Sequence, residues 1–484
     1  MNLRSALFPI YRAKGVIVSF RLNTSNLNTS VFIAILLLIQ IITLSFLFCP
    51  LSSAQLPLEP EIKFSSSLNP VGSGARALGM GGAFIAFADD ATAASWNPAG
   101  LKHLLRPEIS VVANYDARGE RFSFTRSQDA SNEYKISNED LNYLSMAYPF
   151  MWLDRNIIIS LNYQNLYSLD RKMQFQWKFD ASDDPNWPSN LSYTSNVNYR
   201  QEGNLRALSP AMAVFLTPSL FLGMTLNFWS DKFSDNGWIE EHRELGQWIL
   251  SDGNVINLGD TYVERIDHYS YSGFNMNFGL LWDINQYFTF GAVVKTPFTA
   301  RLKHKGRRLR HQIRYIDPEE NIVQNSLTED LKLRMPLAYG IGLAVRPTDR
   351  LIFDFDIYRM EWDDYVIIDP SGNKMDPITG LPKGESSIKP THHIRMGGEY
   401  VFILKKMTLS FRSGMFYDPE PASGNPDDFY GIGMGIGITF GSFAIDWAYQ
   451  YRIGEDVEGD SIKGETSFAD VKQHLFYNSI IYYF

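Results

Sequence analysis

Residues 351–358 read LIFDFDIY. In an extended chain, successive side chains point to opposite faces. Leu351, Phe353, Phe355 and Ile357 therefore share one face, and Ile352, Asp354, Asp356 and Tyr358 the other. One face is oily and the other carries two acids. The same period-two alternation recurs in EISVVANY (Glu108–Tyr115), NIIISLNYQ (Asn156–Gln164), SLFLGMTLNFW (Ser219–Trp229) and YFTFGAVVKTP (Tyr287–Pro297). It continues in TLSFRSGMF (Thr408–Phe416), YGIGMGIGITF (Tyr430–Phe440) and FAIDWAYQY (Phe443–Tyr451). Gly, Asn, Asp and Pro punctuate the segments, which is the signature of strands. About fourteen such segments lie between residue 107 and the end.

Two architectures show this alternation. A soluble sandwich buries its oily face between sheets. A transmembrane barrel points that face at lipid, with strands of about 9–11 residues and aromatic girdles. Tyr148, Phe150 and Trp152, Tyr269 and Tyr271, and Tyr449 and Tyr451 cluster near predicted strand ends. Connections alternate between tight (Thr217-Pro218, Pro347–Arg350) and long (about 231–261, 299–329 and 363–390). The chain ends on HLFYNSIIYYF, with Phe484 last and Tyr482 and Ile480 on its face. These features favour the barrel, since lipid offers no partners to an open sheet edge. The expectation is an all-β fold: a transmembrane antiparallel barrel of about fourteen strands over residues 107–484.

The opening of the chain reads as an address. VFIAILLLIQIITLSFLFC (Val31–Cys49) is the one long apolar run. Arg4, Arg12, Lys14 and Arg21 precede it, and Ser52-Ser53-Ala54 follows with small-x-small spacing. This order marks an exported signal peptide over residues 1–54. The run is also long enough for a retained helix, which stays open as an alternative. The long basic segment leaves room for a start later than Met1. Phe48 before Cys49 speaks against a lipoprotein anchor. Cleavage would leave a mature chain without cysteine, which excludes disulfides and Cys-cluster metal sites.

Composition narrows the class further. The 484 residues carry 44 Lys+Arg against 53 Asp+Glu, a net charge of −9. That balance argues against a protein built to grip nucleic acid. Aromatics make up 14% and apolar residues 45%, which excludes disorder.

Residues 69–101 read NPVGSGARALGMGGAFIAFADDATAASWNPAGL. Gly72, Gly74, Gly79, Gly81 and Gly82 predict irregular backbone and close approach. Asp89 or Asp90 is placed to cap a short helix over 91–96, and Pro98 to end it. Neither nucleotide fingerprint fits the glycine spacing. An Asp89-Asp90 metal pair is an alternative to the cap. Phe84, Phe87 and Trp96 are apolar groups outside any strand, and a barrel offers them only its lumen. Residues 55–106 are therefore expected to form an N-terminal hatch, or plug, in the lumen.

The stretch Ala75–Leu101, with GMGGAF, ADDATA and WNPAGL, resembles the hatch of the long-chain fatty acid transporter family of outer-membrane proteins, the FadL/TodX type. Asn97-Pro98-Ala99 is similar to that family's plug motif. A second similarity runs through HHIRMGGEYVF (His392–Phe402), LSFRSGMFYDPEP (Leu409–Pro421) and the glycine strand that follows. The GARALGMGGAF form also resembles PorV-like barrels of type IX secretion. The first resemblance implies a fourteen-stranded barrel, corked from within, that imports hydrophobic molecules across the bacterial outer membrane. The second implies handling of exported proteins. A structural barrel is a third reading.

Under the transporter reading, Phe84, Phe87 and Trp96 are candidate apolar contacts to a fatty acid or hydrocarbon. Asn97, Pro98 and Ala99 are the candidate gate, or equally a seal. Arg395 and Arg412 are candidate partners for a ligand carboxylate, or pair with barrel acids such as Asp354, Asp356 or Glu399. RLKHKGRRLRH (Arg301–His311) is expected in a long outer loop, where it captures carboxylates, meets lipopolysaccharide or is simply solvated. Phe484 and Tyr482 resemble the terminal signal read by the barrel assembly machinery. No cofactor or metal is implied, and the barrel is expected to be monomeric. Eight histidines are present, none in an HExxH or triad context, which speaks against an enzyme. His392 and His393 are neighbours on a strand and face opposite sides.

Overall fold

The computed structural model describes residues 72–124, 133–152, 155–180, 191–232, 235–251, 255–315, 318–462 and 465–484. The expected signal peptide and residues 55–71 of the leading segment lie outside the described residues. Among the described residues, no helix is long and apolar enough to cross a membrane.

Fourteen antiparallel strands close into one barrel among the described residues. Glu108–Phe124 comes first and pairs with both Glu133–Trp152 and the last strand, Glu465–Tyr483. The register Glu108↔Tyr483 through Phe124↔Ser467 is the closure. Phe484 N–H donates to the Pro107 carbonyl at 3.0 Å, which ties the chain's last residue to the start of the first strand. A sandwich would leave sheet edges, so closure decides between the two architectures.

Several strand positions are broken and resumed. Leu220–Trp229 continues as Gly237–Ser251, Phe288–Lys295 as Phe298–Arg314, and Glu319–Met335 as Ala338–Thr348. The expected long connections at 231–261 and 299–329 are therefore corrected. Most of those residues are strand: Gly237–Ser251 and Val255–Asp283 pair with each other, as do Phe298–Arg314 and Glu319–Met335. In the outer half of Glu319–Met335 both faces are exposed, so no oily face announces a strand. The third expected connection does exist, but it is folded: Trp362–Asp364 forms a helical turn and Val366–Ile368 pairs with Lys332–Arg334.

The oily face of LIFDFDIY points outward, with Phe353, Phe355 and Ile357 at 40%, 44% and 53% exposure, while Asp354, Asp356 and Tyr358 are buried. Tyr148, Phe150 and Trp152 are exposed, as a girdle requires. Tyr269 and Tyr271 are not girdle residues: both are buried in a lumen cluster with Trp229, Trp238 and Trp362. The lumen is filled on one side by that aromatic cluster and lower down by the leading segment, residues 72–106, which is almost wholly buried.

Candidate functional site

The leading segment folds as two short helices, Ala75–Gly79 and Ala93–Trp96, then a 3₁₀ turn, Pro98–His103. Gly81 and Gly82 adopt φ of +67° and +77°, a region that favours glycine. The expected acid cap is corrected: Thr92 is the N-cap of Ala93–Trp96 and no side chain caps the helix, while Asp90 Oδ1 accepts from the Thr92 N–H at 2.8 Å and the Thr92 hydroxyl at 2.5 Å in the turn before it. Asp89 instead meets Arg76 at 2.5 Å. Among the described residues no acid, His or Cys cluster could hold a metal ion. The helix ends at Trp96, with Asn97 extended ahead of Pro98 as expected, and Pro98 then starts the 3₁₀ turn.

Contact with the wall is made backbone to backbone. A Cβ built on Gly397, Gly414 or Gly433 would lie 2.2 to 2.4 Å from Met80 or Leu78 main-chain atoms. On other strands, Gly223 and Gly279 leave the room that Asn97, Pro98 and Ala99 occupy. Asn97 Nδ2 donates to the carbonyls of Ile85 (2.8 Å) and Leu280 (3.0 Å), and its Oδ1 accepts from Ala99 N–H. The expected gate is thus fully buried and bonded to both hatch and wall.

Acids on the wall receive the hatch's spare donors. Asp356 Oδ2 accepts from the N–H groups of Phe84 (2.7 Å) and Ile85 (2.9 Å). Glu399 pairs with Arg76 at 2.7 Å and also with Arg412. Arg412 further meets Asp446 at 2.5 Å, and Arg395 meets Asp418 at 2.7 Å. Both candidate arginines therefore pair with barrel acids. Glu399 is one of the three acids named from sequence; Asp446 and Asp418 were not, and Asp356 serves the hatch amides.

Phe84 packs edge-on to Phe87 and to Trp96, each at 5.8 Å between centroids. All three are buried in a cluster that the hatch shares with wall residues such as Ile158 and Ile352. Only Trp96 reaches a lumen chamber. That chamber is the more polar of two, bordered by Arg395, Arg452 and several Asn, Asp and Gln side chains, with Leu78, Leu166 and Leu475 among them. A second chamber is largely apolar and aromatic, bordered by Tyr167, Trp229, Phe298, Met335 and Tyr358, and Lys295 with the amides of Gln164, Asn227, Asn275 and Asn277 shares its lining. Ser95 floors it. Trp362 and Tyr365 of the folded connection belong to the same aromatic cluster as its lining, and Trp362 Nε1–H donates to Thr391 Oγ1 at 2.9 Å. Sequence reasoning missed both chambers. Their lining comes from strands far apart in the chain, and an alternating pattern says which face is inner without saying what meets there.

The basic run is in strand Phe298–Arg314 rather than in a loop. Arg301 forks onto Asp330 at 3.0 Å. His304 lies between Asp267 (2.7 Å) and Glu329 (2.8 Å) and stacks on Tyr269 at 4.5 Å. Arg307 meets Glu264 at 3.5 Å. Much of the positive charge is matched by acids on neighbouring strands.

No family model matches the chain, and no curated protein matches it. Solved structures do. A FadL homologue from Pseudomonas aeruginosa superimposes with TM-score 0.55 at 15% identity, covering 89% of this chain and 100% of that one. The toluene transporter TodX from P. putida gives 0.53 at 14%, covering 86% and 99%. The CymD monoaromatic hydrocarbon channel gives 0.50 at 15%, covering 86% and 98%. At such identities the likeness is one of fold, and by fold this chain stands with the FadL/TodX-type barrels.

Proposed function

We propose that the protein is an outer-membrane channel through which hydrophobic molecules, long-chain fatty acids or hydrocarbons, enter the cell. The observation that carries this reading is the aromatic chamber, bordered by Ser95 of the hatch and sharing one buried cluster with Trp362 and Tyr365 of the folded connection. An oily molecule gains about 25 cal/mol per Å² of apolar area withdrawn from water, so burying about 300 Å² offers roughly 7 kcal/mol before entropy costs. The names of the structures sharing the fold, among them a toluene transporter, support the same reading. A protein-secretion role gains no support from a chamber with this lining.

In this account the ligand is captured at the outer end of the long strands, rests in the aromatic chamber, and passes when the hatch shifts. The stretch Asn97–Ala99 is the fixed point of that shift, because it is bonded to the wall. Trp96 borders the lumen, while Phe84 and Phe87 keep the hatch rigid. Arg412, held by two acids, is a brace for the wall rather than a ligand partner. Phe484 and Tyr482 serve barrel insertion, and the outer charges meet lipopolysaccharide.

Refolded mature protein should bind a long-chain fatty acid saturably, with a change in emission from Trp229. Ala338→Trp, which fills the chamber, should abolish the signal. Absence of saturable binding to the wild type sinks the proposal. Deleting 97–99 should impair uptake of every hydrophobic substrate tested; unchanged uptake removes the role given to that stretch.

A further inference from the structure

The polar chamber has a chemistry that a pure hydrocarbon does not use. Asn114 Oδ1, Asp116 Oδ1, Asn142 Oδ1, Asn165 Oδ1 and Gln473 Oε1 border it, and each is buried without a partner in the protein. Three of the four amides donate within the protein, Asn165 Nδ2 to Asn204 Oδ1 at 3.2 Å. Gln473 Nε2 donates to Asp116 Oδ2 at 2.7 Å, and Asn142 Nδ2 to the Asn165 carbonyl at 3.3 Å. Flipping either would forfeit its bond. Spare donors line the same space: Arg452 Nε and Nη1, and Arg395 Nε. Arg452 is only 2% exposed. Such a concentration of unpaired buried groups is unusual in a folded protein and points to something that pairs them.

Charge narrows what that is. Arg395 is matched by Asp418 at 2.7 Å and Arg452 by Glu420 at 2.8 Å. The chamber keeps hydrogen-bonding capacity of both kinds without surplus positive charge. A carboxylate only accepts hydrogen bonds, so it would leave the five acceptor oxygens unpaired. A hydroxyl both donates and accepts. The two chambers adjoin: Leu166 borders both, and the hatch neighbours Ser95 and Trp96 border one each.

We propose that the preferred cargo is a single-chain amphiphile with a neutral, hydroxyl-bearing head. The head sits against Asn142, Gln473, Arg395 and Arg452, and the chain lies against Trp229 and Tyr358. This rests on the hydrophobe-channel reading above and specifies its substrate class.

The test uses purified mature protein in micelles and three probes with one common chain: decanoylglycerol, decanoate and methyl decanoate. Decanoylglycerol should bind at least about tenfold tighter than either of the others, because a site built to pair hydroxyls rejects ligands that lack them. Gln473→Leu and Asn142→Leu should each shrink that ratio to about threefold or less, their fold confirmed by heat-modifiable gel migration. Equal binding of the three probes would show that the chamber holds only water, and would overturn the proposal. So would a preference that survives in both variants. If no probe binds at all, the channel reading falls with it.

Discussion

A Cβ on Gly414 would lie 2.2 Å from the Met80 carbonyl group, and the clash is with backbone. Nothing there can rotate aside, so the hatch itself must move. Gly414→Val should therefore destabilise hatch docking by about 1–3 kcal/mol, the usual cost of overpacking. Gly384, which has nothing within 4 Å of such an atom, should tolerate Ala within about 0.5 kcal/mol. Thermal unfolding in detergent compares the two. Asn97→Ala should cost about 2 kcal/mol or more, since two buried carbonyls lose their donor. His103, at the end of the 3₁₀ turn, gives a pH dependence. Burial, with Lys102 and Arg346 adding positive neighbours, lowers its pKa from 6.5 to about 3. The unfolded imidazole takes up a proton where the folded one refuses it, so the stabilisation is full above about pH 6.5 and drains away as pH falls toward 3. Protease protection of the hatch should weaken from about pH 7 to about pH 4 and do so less steeply in His103→Gln. The glycines of the leading segment were legible as close-approach residues. Their counterparts on the wall were not, because alternation alone gives no reason to pair Gly414 with Met80.

At the scale of elements, the sequence spoke clearly where one face met lipid. LIFDFDIY was legible because Phe353 and Phe355 must be oily and Asp354 and Asp356 must point inward. The strands that outrun the membrane lost that signal. Glu319–Met335 is exposed on both sides over its outer half, so water accepts either kind of residue at every position. The connection at about 363–390 was legible as long but not as folded. Its Trp362 is fully buried and packs edge-on to Tyr365 at 5.5 Å. Trp362→Ala should loosen this segment by about 3–5 kcal/mol. A bound fluorescent fatty acid should then leave faster, as stopped-flow displacement would show; an unchanged off-rate would mean that the connection does not cover the chamber. The paired Arg301 and Asp330 are each 59% exposed, so breaking that pair should matter little.

As a whole, the molecule solves one problem twice. Outside, an apolar band meets lipid, and the sheet closes so that no edge is left unpaired. Inside, wall acids take up the hatch's amide and guanidinium groups, so a buried irregular segment leaves few donors stranded. Among the described residues, the lumen holds an aromatic space and a more polar one beside it. Such an interior should admit a greasy molecule far more readily than a sugar or an ion. Comparing entry of a labelled long-chain fatty acid with that of a labelled sugar, in intact bacteria with and without this protein, tests that most directly. The account predicts that the protein raises fatty-acid entry severalfold and leaves sugar entry at the level of cells without it. Sugar entry rising as much as fatty-acid entry, or fatty-acid entry not rising, would contradict it.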